Sequence, residues 1–138
     1  MEFDTIHKIE KVEKKVLDFL NYLMKETPLM LDLSNLYGEF TWVTSPVKEL
    51  NKNISMPAQF YFLNVTNYPM EMIIRYCPCE DCHKVVSVQL LISGKDTEVS
   101  NAKIVMEYIN KTVPDIKVYI TRKPEPLFVK NNGLGFKK

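Results

Sequence analysis

The chain has 138 residues, of which 46% are hydrophobic and 25% charged, as in ordinary soluble globular proteins. This length predicts a single domain spanning residues 1–138, long enough to bury a core but too short for two domains. The composition excludes a disordered or fibrous chain, and no apolar run approaches the roughly 20 residues of a membrane-spanning helix.

Charge is balanced overall, with 18 basic and 17 acidic residues, but it is unevenly distributed. Residues 103–138 carry eight basic residues against three acids, which leaves nucleic-acid binding open as an alternative. However, Arg75 and Arg122 are the only arginines, and arginine is the usual reader of guanine edges. The pattern therefore favours a solvated, lysine-rich surface over a nucleic-acid contact.

The first residues, Met1-Glu2-Phe3-Asp4, are acidic, and the segment after them alternates lysine with glutamate. An export signal needs a basic start and an uninterrupted apolar stretch, so we expect an intracellular, cytoplasmic protein that binds no membrane. Three cysteines, an odd and clustered set, also suit a reducing compartment.

Residues 3–25 have the helical pattern of one apolar residue every three or four positions: Phe3, Ile6, Ile9, Val12, Val16, Leu20 and Leu23. This predicts a long N-terminal helix that either covers a sheet or pairs with a second copy to form a homodimer. Pro28 is expected to end it. His7, with no second ligand at helical spacing, is interpreted as a surface residue.

The segment after this helix predicts strands separated by turns. Residues 29–37 are ambiguous, and residues 39–44 form an aromatic, β-branched strand around Trp42. Ser45-Pro46 resembles a helix N-cap, which predicts a short helix to about residue 52. Residues 58–65 are then expected to be a central strand.

Two further apolar runs, residues 70–76 and 84–92, flank the cysteine-containing turn and complete an antiparallel β-meander. Asp96 or Thr97 can begin a second helix, which Pro114 closes. Residues 116–121 are predicted to form the final strand.

The last segment, residues 123–138, is turn-rich and basic and is expected to be a loosely ordered tail, partly anchored by Leu127, Phe128 and Val129. The predicted fold class is therefore α+β, an antiparallel meander with both helices on one face.

All three cysteines and one of the two histidines lie in the turn Cys77-Pro78-Cys79-Glu80-Asp81-Cys82-His83. Thiolates are preferred zinc ligands, and structural sites often combine three cysteines with one histidine. The predicted metal ligands are therefore Cys77, Cys79, Cys82 and His83, holding one zinc ion at a hairpin tip. His83 is the weakest of them, because adjacent residues of an extended chain point to opposite sides.

Other interpretations of this turn stay open. Proline and acidic residues are natural turn formers, so the thiols can be ordinary turn residues without a metal. A redox pair of Cys79 and Cys82 is another possibility, although Glu80 and Asp81 raise thiol pKa and oppose reactivity. The spelling Cys79-x-x-Cys82-His83 also matches a haem-attachment pattern, which normally belongs to exported proteins.

We find no complete catalytic motif in the sequence, which indicates a small non-catalytic binding or regulatory module acting on a protein partner. A thiol-dependent enzyme or redox protein using Cys79 and Cys82 is the main alternative. An inhibitor encoded by a virus or mobile element is a further alternative that no residue separates from the first.

Overall fold

A computed structural model of the protein describes residues 7–78 and 83–122. The predicted tail at residues 123–138 and the centre of the cysteine turn, Cys79 to Cys82, lie outside the described residues. The described elements, in chain order, are β1 (His7–Ile9), α1 (Lys14–Glu26), β2 (Leu31–Val47), a single 3-10 turn (Lys48–Leu50), β3 (Lys52–Val65), β4 (Met70–Cys77), β5 (Lys84–Ile92), α2 (Asp96–Thr112) and β6 (Lys117–Arg122).

The strands form one six-stranded sheet in the order β1-β2-β3-β4-β5-β6. Neighbouring strands from β1 to β5 are antiparallel, whereas β6 lies parallel to β5. A parallel neighbour needs a crossover connection, which α2 supplies. The predicted α+β class, with a multi-stranded sheet and two helices, is confirmed. The runs predicted as a meander, residues 58–65, 70–76 and 84–92, do lie in successive antiparallel strands β3, β4 and β5. The sheet as a whole is mixed, because the final strand β6 is parallel to β5.

Both helices pack on one face of the sheet. The buried side chains of α1 are Val16, Leu20 and Leu23, and those of α2 are Ala102, Val105 and Ile109. All six belong to a single core cluster with the sheet residues that face them, including Met72, Ile74, Val88 and Leu90. We call this the helix-covered face and the opposite side the outer face.

The N-terminal helix is shorter than predicted. It begins at Lys14, and the residues before it include strand β1, which pairs with residues 38–40 of β2. The spacing of three between Ile6 and Ile9 fits a helix, but β-branched residues also favour strands. Residues 7–9 form a strand because they pair with β2.

The apolar stripe of α1, on which the predicted homodimer depended, is buried in the core of the monomer. The outward side of the helix carries the exposed ion pair between Lys14 and Asp18 and also the half-exposed ring of Tyr22. The homodimer stays a prediction.

The short helix predicted from Pro46 is also wrong. Pro46 lies in β2, opposite Asn53 of β3, and only residues 48–50 make a helical turn. The Ser-Pro pair resembles an N-cap, but proline is also accepted in edge strands, where its missing N–H is not needed. β3 consequently begins at Lys52, six residues before the predicted strand.

None of the helices in the described ranges combines the length and the apolar character needed to cross a membrane.

Candidate functional site

The cysteine turn joins β4 to β5, as the sequence predicts. Cys77 ends β4 and pairs with Lys84, the first residue of β5. His83, just before that pair, has a left-handed backbone with φ of 46°. Cys79, Glu80, Asp81 and Cys82 lie outside the described residues, so the predicted metal site stays a prediction.

The two described candidate ligands, Cys77 and His83, lie on opposite sides of the sheet. Tyr76 faces the helix-covered core, and strand alternation therefore directs the half-buried Cys77 to the outer face. The His83 ring instead lies on the Tyr76 side, with Nδ1 3.3 Å from the Tyr76 hydroxyl oxygen. Within residues 7–78 and 83–122, no group of three His, Cys, Asp or Glu side chains could hold a metal ion.

Behind the turn, buried phenols connect β3, β4 and the start of α1. The Tyr61 hydroxyl donates to Gln59 Oε1 at 2.7 Å and accepts from the backbone N–H of Glu13 at 3.3 Å. Burial raises the pKa of Tyr61 to about 12, and burial, followed by the charge of Glu13, also raises the pKa of Tyr76. Both phenols are neutral at physiological pH and act as hydrogen-bonding groups, a structural role rather than that of a base or nucleophile.

The second feature is the outer half of the β2–β3 hairpin, residues 41–58, which we call the hairpin arm. β1 pairs with β2 only up to Phe40, and β4 pairs with β3 only from Gln59. Beyond these residues, the two strands of the arm pair only with each other among the described strands. Gln59 lies opposite Tyr76, near the end of β4, so the arm and the cysteine turn leave the sheet at the same end.

Large apolar side chains are exposed on the arm. Trp42 is 44% exposed, Met56 36% and Leu50 54%. Phe40 supports Trp42 from the base of the arm, with an edge-to-face ring contact at 6.2 Å. The register places Trp42 on the helix-covered side and Met56, opposite Val43, on the outer side, so both faces of the arm carry apolar surface.

Two prolines determine what the edges of the arm can do. Pro57 pairs with Trp42, and Pro46 pairs with Asn53 four residues further along β2. In an antiparallel ladder, the residues of every second pair direct their backbone N–H and C=O groups away from the partner strand. A proline at such a position removes no hydrogen bond between the two strands. Each outer edge of the arm therefore lacks one N–H donor, which discourages the addition of another strand.

The arm is not distinguished by its sequence pattern, which predicts a strand around Trp42 and indicates no role for Met56. The signals available were a tryptophan and a methionine in a segment that also contains two prolines, a combination typical of edge strands. Exposure, the property that distinguishes Trp42 from the buried Tyr61, is not readable from the residues alone.

Comparison with known proteins gives no relative: no protein-family model, curated protein or solved structure matches the chain.

Proposed function

We propose that this protein is a small non-catalytic binding module and that the hairpin arm is the surface that contacts its protein partner. The observation that carries the proposal is the exposure of Trp42 and Met56 on a ribbon that no described strand or helix covers. Tryptophan and methionine are enriched in the buried centres of protein interfaces. Single exposed apolar residues are common, but here they share one short projecting segment.

Trp42 is the expected anchor of the interface. Its ring is large and its position is restricted by the Phe40 contact, so little conformational freedom remains to be lost on binding. Truncating an interface residue of this kind commonly costs more binding free energy than truncating its neighbours. The edge prolines direct the partner to the side chains of the arm and away from its backbone.

The test is the replacement Trp42→Ser. We expect at least a tenfold rise in the Kd for the partner, because truncating an anchor residue commonly costs about 2 kcal/mol of binding free energy. The partner would first be captured from an extract of the source cells with the unmodified chain. Each variant would then be titrated with the purified partner by calorimetry.

Ile104→Ser is the matched control, because Ile104 is 39% exposed but lies on α2. This variant should bind like the unmodified chain, and both variants should keep its melting temperature because each replaced side chain is exposed. Equal binding by Trp42→Ser, or an equal loss in both variants, would contradict the proposal. A turnover abolished by Cys82→Ser would replace it with the thiol-enzyme alternative.

Beside the arm, we propose that a zinc ion holds the cysteine turn through thiolates of Cys77, Cys79 and Cys82. His83 is the least suited of the four candidates, since its ring lies on the Tyr76 side of the sheet. A zinc ion would stiffen the turn next to the base of the arm, a structural role that requires no reactive thiol.

Elemental analysis of freshly purified protein is expected to give one zinc per chain, lost in Cys82→Ser and retained in His83→Ala. Bound thiols should also react slowly with iodoacetamide until a chelator is added. If the protein is metal-free and Cys82→Ser leaves its melting temperature unchanged, the cysteines are ordinary turn residues that bind no metal. Rapid alkylation at neutral pH without a chelator would favour the redox alternative.

A further inference from the structure

Strand β5 carries two buried polar side chains with unsatisfied hydrogen-bonding atoms. Ser87 is 5% exposed and Gln89 is 0% exposed. Among the described residues, neither the hydroxyl oxygen of Ser87 nor Oε1 of Gln89 has a partner, although the Gln89 amide donates from Nε2 to Thr121 Oγ1 at 3.0 Å. A buried polar atom without a partner costs free energy, so such atoms commonly mark the place of a bound water, ion or ligand.

Basic residues flank Ser87 in a row that crosses three strands. Ser87 pairs with Arg75 of β4 on one side and with Lys117 of β6 on the other. Directly paired residues point to the same face of a sheet. That face is the outer one, because Arg75 follows Ile73, which is buried there, at a spacing of two.

These cations are available to a ligand. The guanidinium of Arg75 lies over the Phe60 ring, with Cζ 6.0 Å from the ring centroid, a contact that leaves its N–H donors unused. In the part of the chain that the structure describes, the single ion pair belongs to α1, so neither Arg75 nor Lys117 is paired there. Lys84, which pairs with the outward-facing Cys77, adds a third cation to this end of the face.

The charge around Ser87 is positive. Glu39 lies on the same row, but three strand spacings away, about 14 Å. Glu71 lies four residues along β4 from Arg75, about 13 Å. Asp115 lies in the turn before β6 and offsets at most one of the three cations. A net positive charge beside a buried hydroxyl favours an anionic ligand.

We propose that Arg75, Ser87, Gln89 and Lys117 form a phosphate site, which binds the phosphate group of a small molecule. The guanidinium and the ammonium bind the charged oxygens, and the Ser87 hydroxyl donates to one of them. Gln89 Oε1 accepts a hydrogen bond, so the ligand needs a hydroxyl donor beside its charged oxygens. Hydrogen phosphate and a phosphate ester with a neighbouring hydroxyl both meet this requirement. Arg75 is half-buried and Lys117 exposed, and both long side chains turn aside to admit the ligand.

Thermal unfolding of the full-length chain tests the proposal. We expect about 20 mM inorganic phosphate to raise the melting temperature by about 3–6 °C relative to sodium chloride at equal ionic strength and pH, since a ligand of the folded state stabilises it. Glycerol 3-phosphate distinguishes the two sources of the phosphate group. A larger rise with it identifies an ester, an equal rise identifies free phosphate, and both results support the site. Equal melting temperatures in phosphate and chloride would overturn the proposal.

Matched variants separate the phosphate site from a general salt effect. Lys117→Gln and Ser87→Ala are each expected to weaken phosphate binding about tenfold in a calorimetric titration, the usual loss for a hydrogen bond to a charged group. Ser87→Ala should not lower the melting temperature of the ligand-free protein, because the removed hydroxyl has no described partner to leave unpaired.

Lys103→Gln is the control for Lys117→Gln, because it removes an exposed lysine from α2, on the opposite side of the sheet. This variant should bind phosphate like the unmodified chain. Equal binding by the two lysine variants, or a Ser87→Ala variant that binds phosphate as tightly as the unmodified chain, would contradict the proposal.

Discussion

Replacing Gly38 by valine is expected to destabilise the protein by about 3 kcal/mol, at the upper end of the cost of overpacking a core. A Cβ atom at this position would lie 2.5 Å from Cε2 and 2.7 Å from Cδ2 of the Tyr61 ring, and 3.1 Å from Cδ1 of Ile9. Tyr61 is fully buried and its hydroxyl is held by Gln59 and the Glu13 backbone, so the ring has little freedom to move away. Urea unfolding of the two proteins measures the loss.

A double-mutant cycle distinguishes this steric cause from a general effect of valine at position 38. Tyr61→Ala opens the space that the new side chain needs, so Gly38→Val should cost much less in that background than alone. Equal costs in both backgrounds, or an unchanged urea midpoint for Gly38→Val, would show that the Tyr61 ring does not restrict this position.

The second large effect is a loss of stability at alkaline pH that Tyr61→Phe should reduce. Burial raises the pKa of Tyr61 from 10.0 to about 12 in the folded protein. Between these values the unfolded chain has released the phenolic proton and the folded protein retains it, so the free energy of unfolding falls as pH rises. The contribution of Tyr61 is thus complete below pH 10 and lost by about pH 12. A difference of two pKa units corresponds to about 2.7 kcal/mol at most.

Urea unfolding of the unmodified chain and Tyr61→Phe between pH 9 and 12 would measure this slope. At pH 7 the variant should lose about 1 kcal/mol, because the partners of the hydroxyl are left without it. Above pH 10 the difference should shrink or reverse. A weaker slope remains in the variant, since burial also raises the pKa of Tyr37 and Tyr76. Parallel curves throughout the range would contradict the assignment to Tyr61.

The elements that were predictable from the sequence are those whose signals are local. The apolar runs around the cysteine turn are β4 and β5, and the segment between Asp96 and Pro114, with its acidic first turn, is α2. Their boundaries agree with the predicted ones to within one or two residues. In each case the periodicity, the flanking turn residues and the tertiary environment all favour the same structure.

The remaining elements depend on contacts that the local sequence does not contain. His7–Ile9 is a strand because it pairs with β2, about thirty residues later in the chain. The direction of β6 depends on α2 returning the chain to the same edge of the sheet, which apolar periodicity cannot show. Pro46 and Val47 follow a helix-capping pattern but have strand partners in Asn53 and Lys52, so the helical part is limited to residues 48–50.

The candidate site was predictable only in part, for a related reason. Clustered cysteines are visible in any sequence, so the turn could be located, but the opposite orientations of Cys77 and His83 required the strand register. The arm illustrates the same limit. Trp42 and Tyr61 are both aromatic residues in strands, and only the ends of β1 and β4 determine which of them is left exposed.

The hairpin arm also has a kinetic consequence. Its charged residues are Lys48, Glu49 and Lys52, so it presents almost no net field to an approaching protein. Complexes without electrostatic steering form at roughly 10⁵–10⁶ M⁻¹s⁻¹ and depend weakly on ionic strength. If the arm is the binding surface, as we propose, the lifetime of the complex, set by how well the Trp42 ring is enclosed, would determine the affinity.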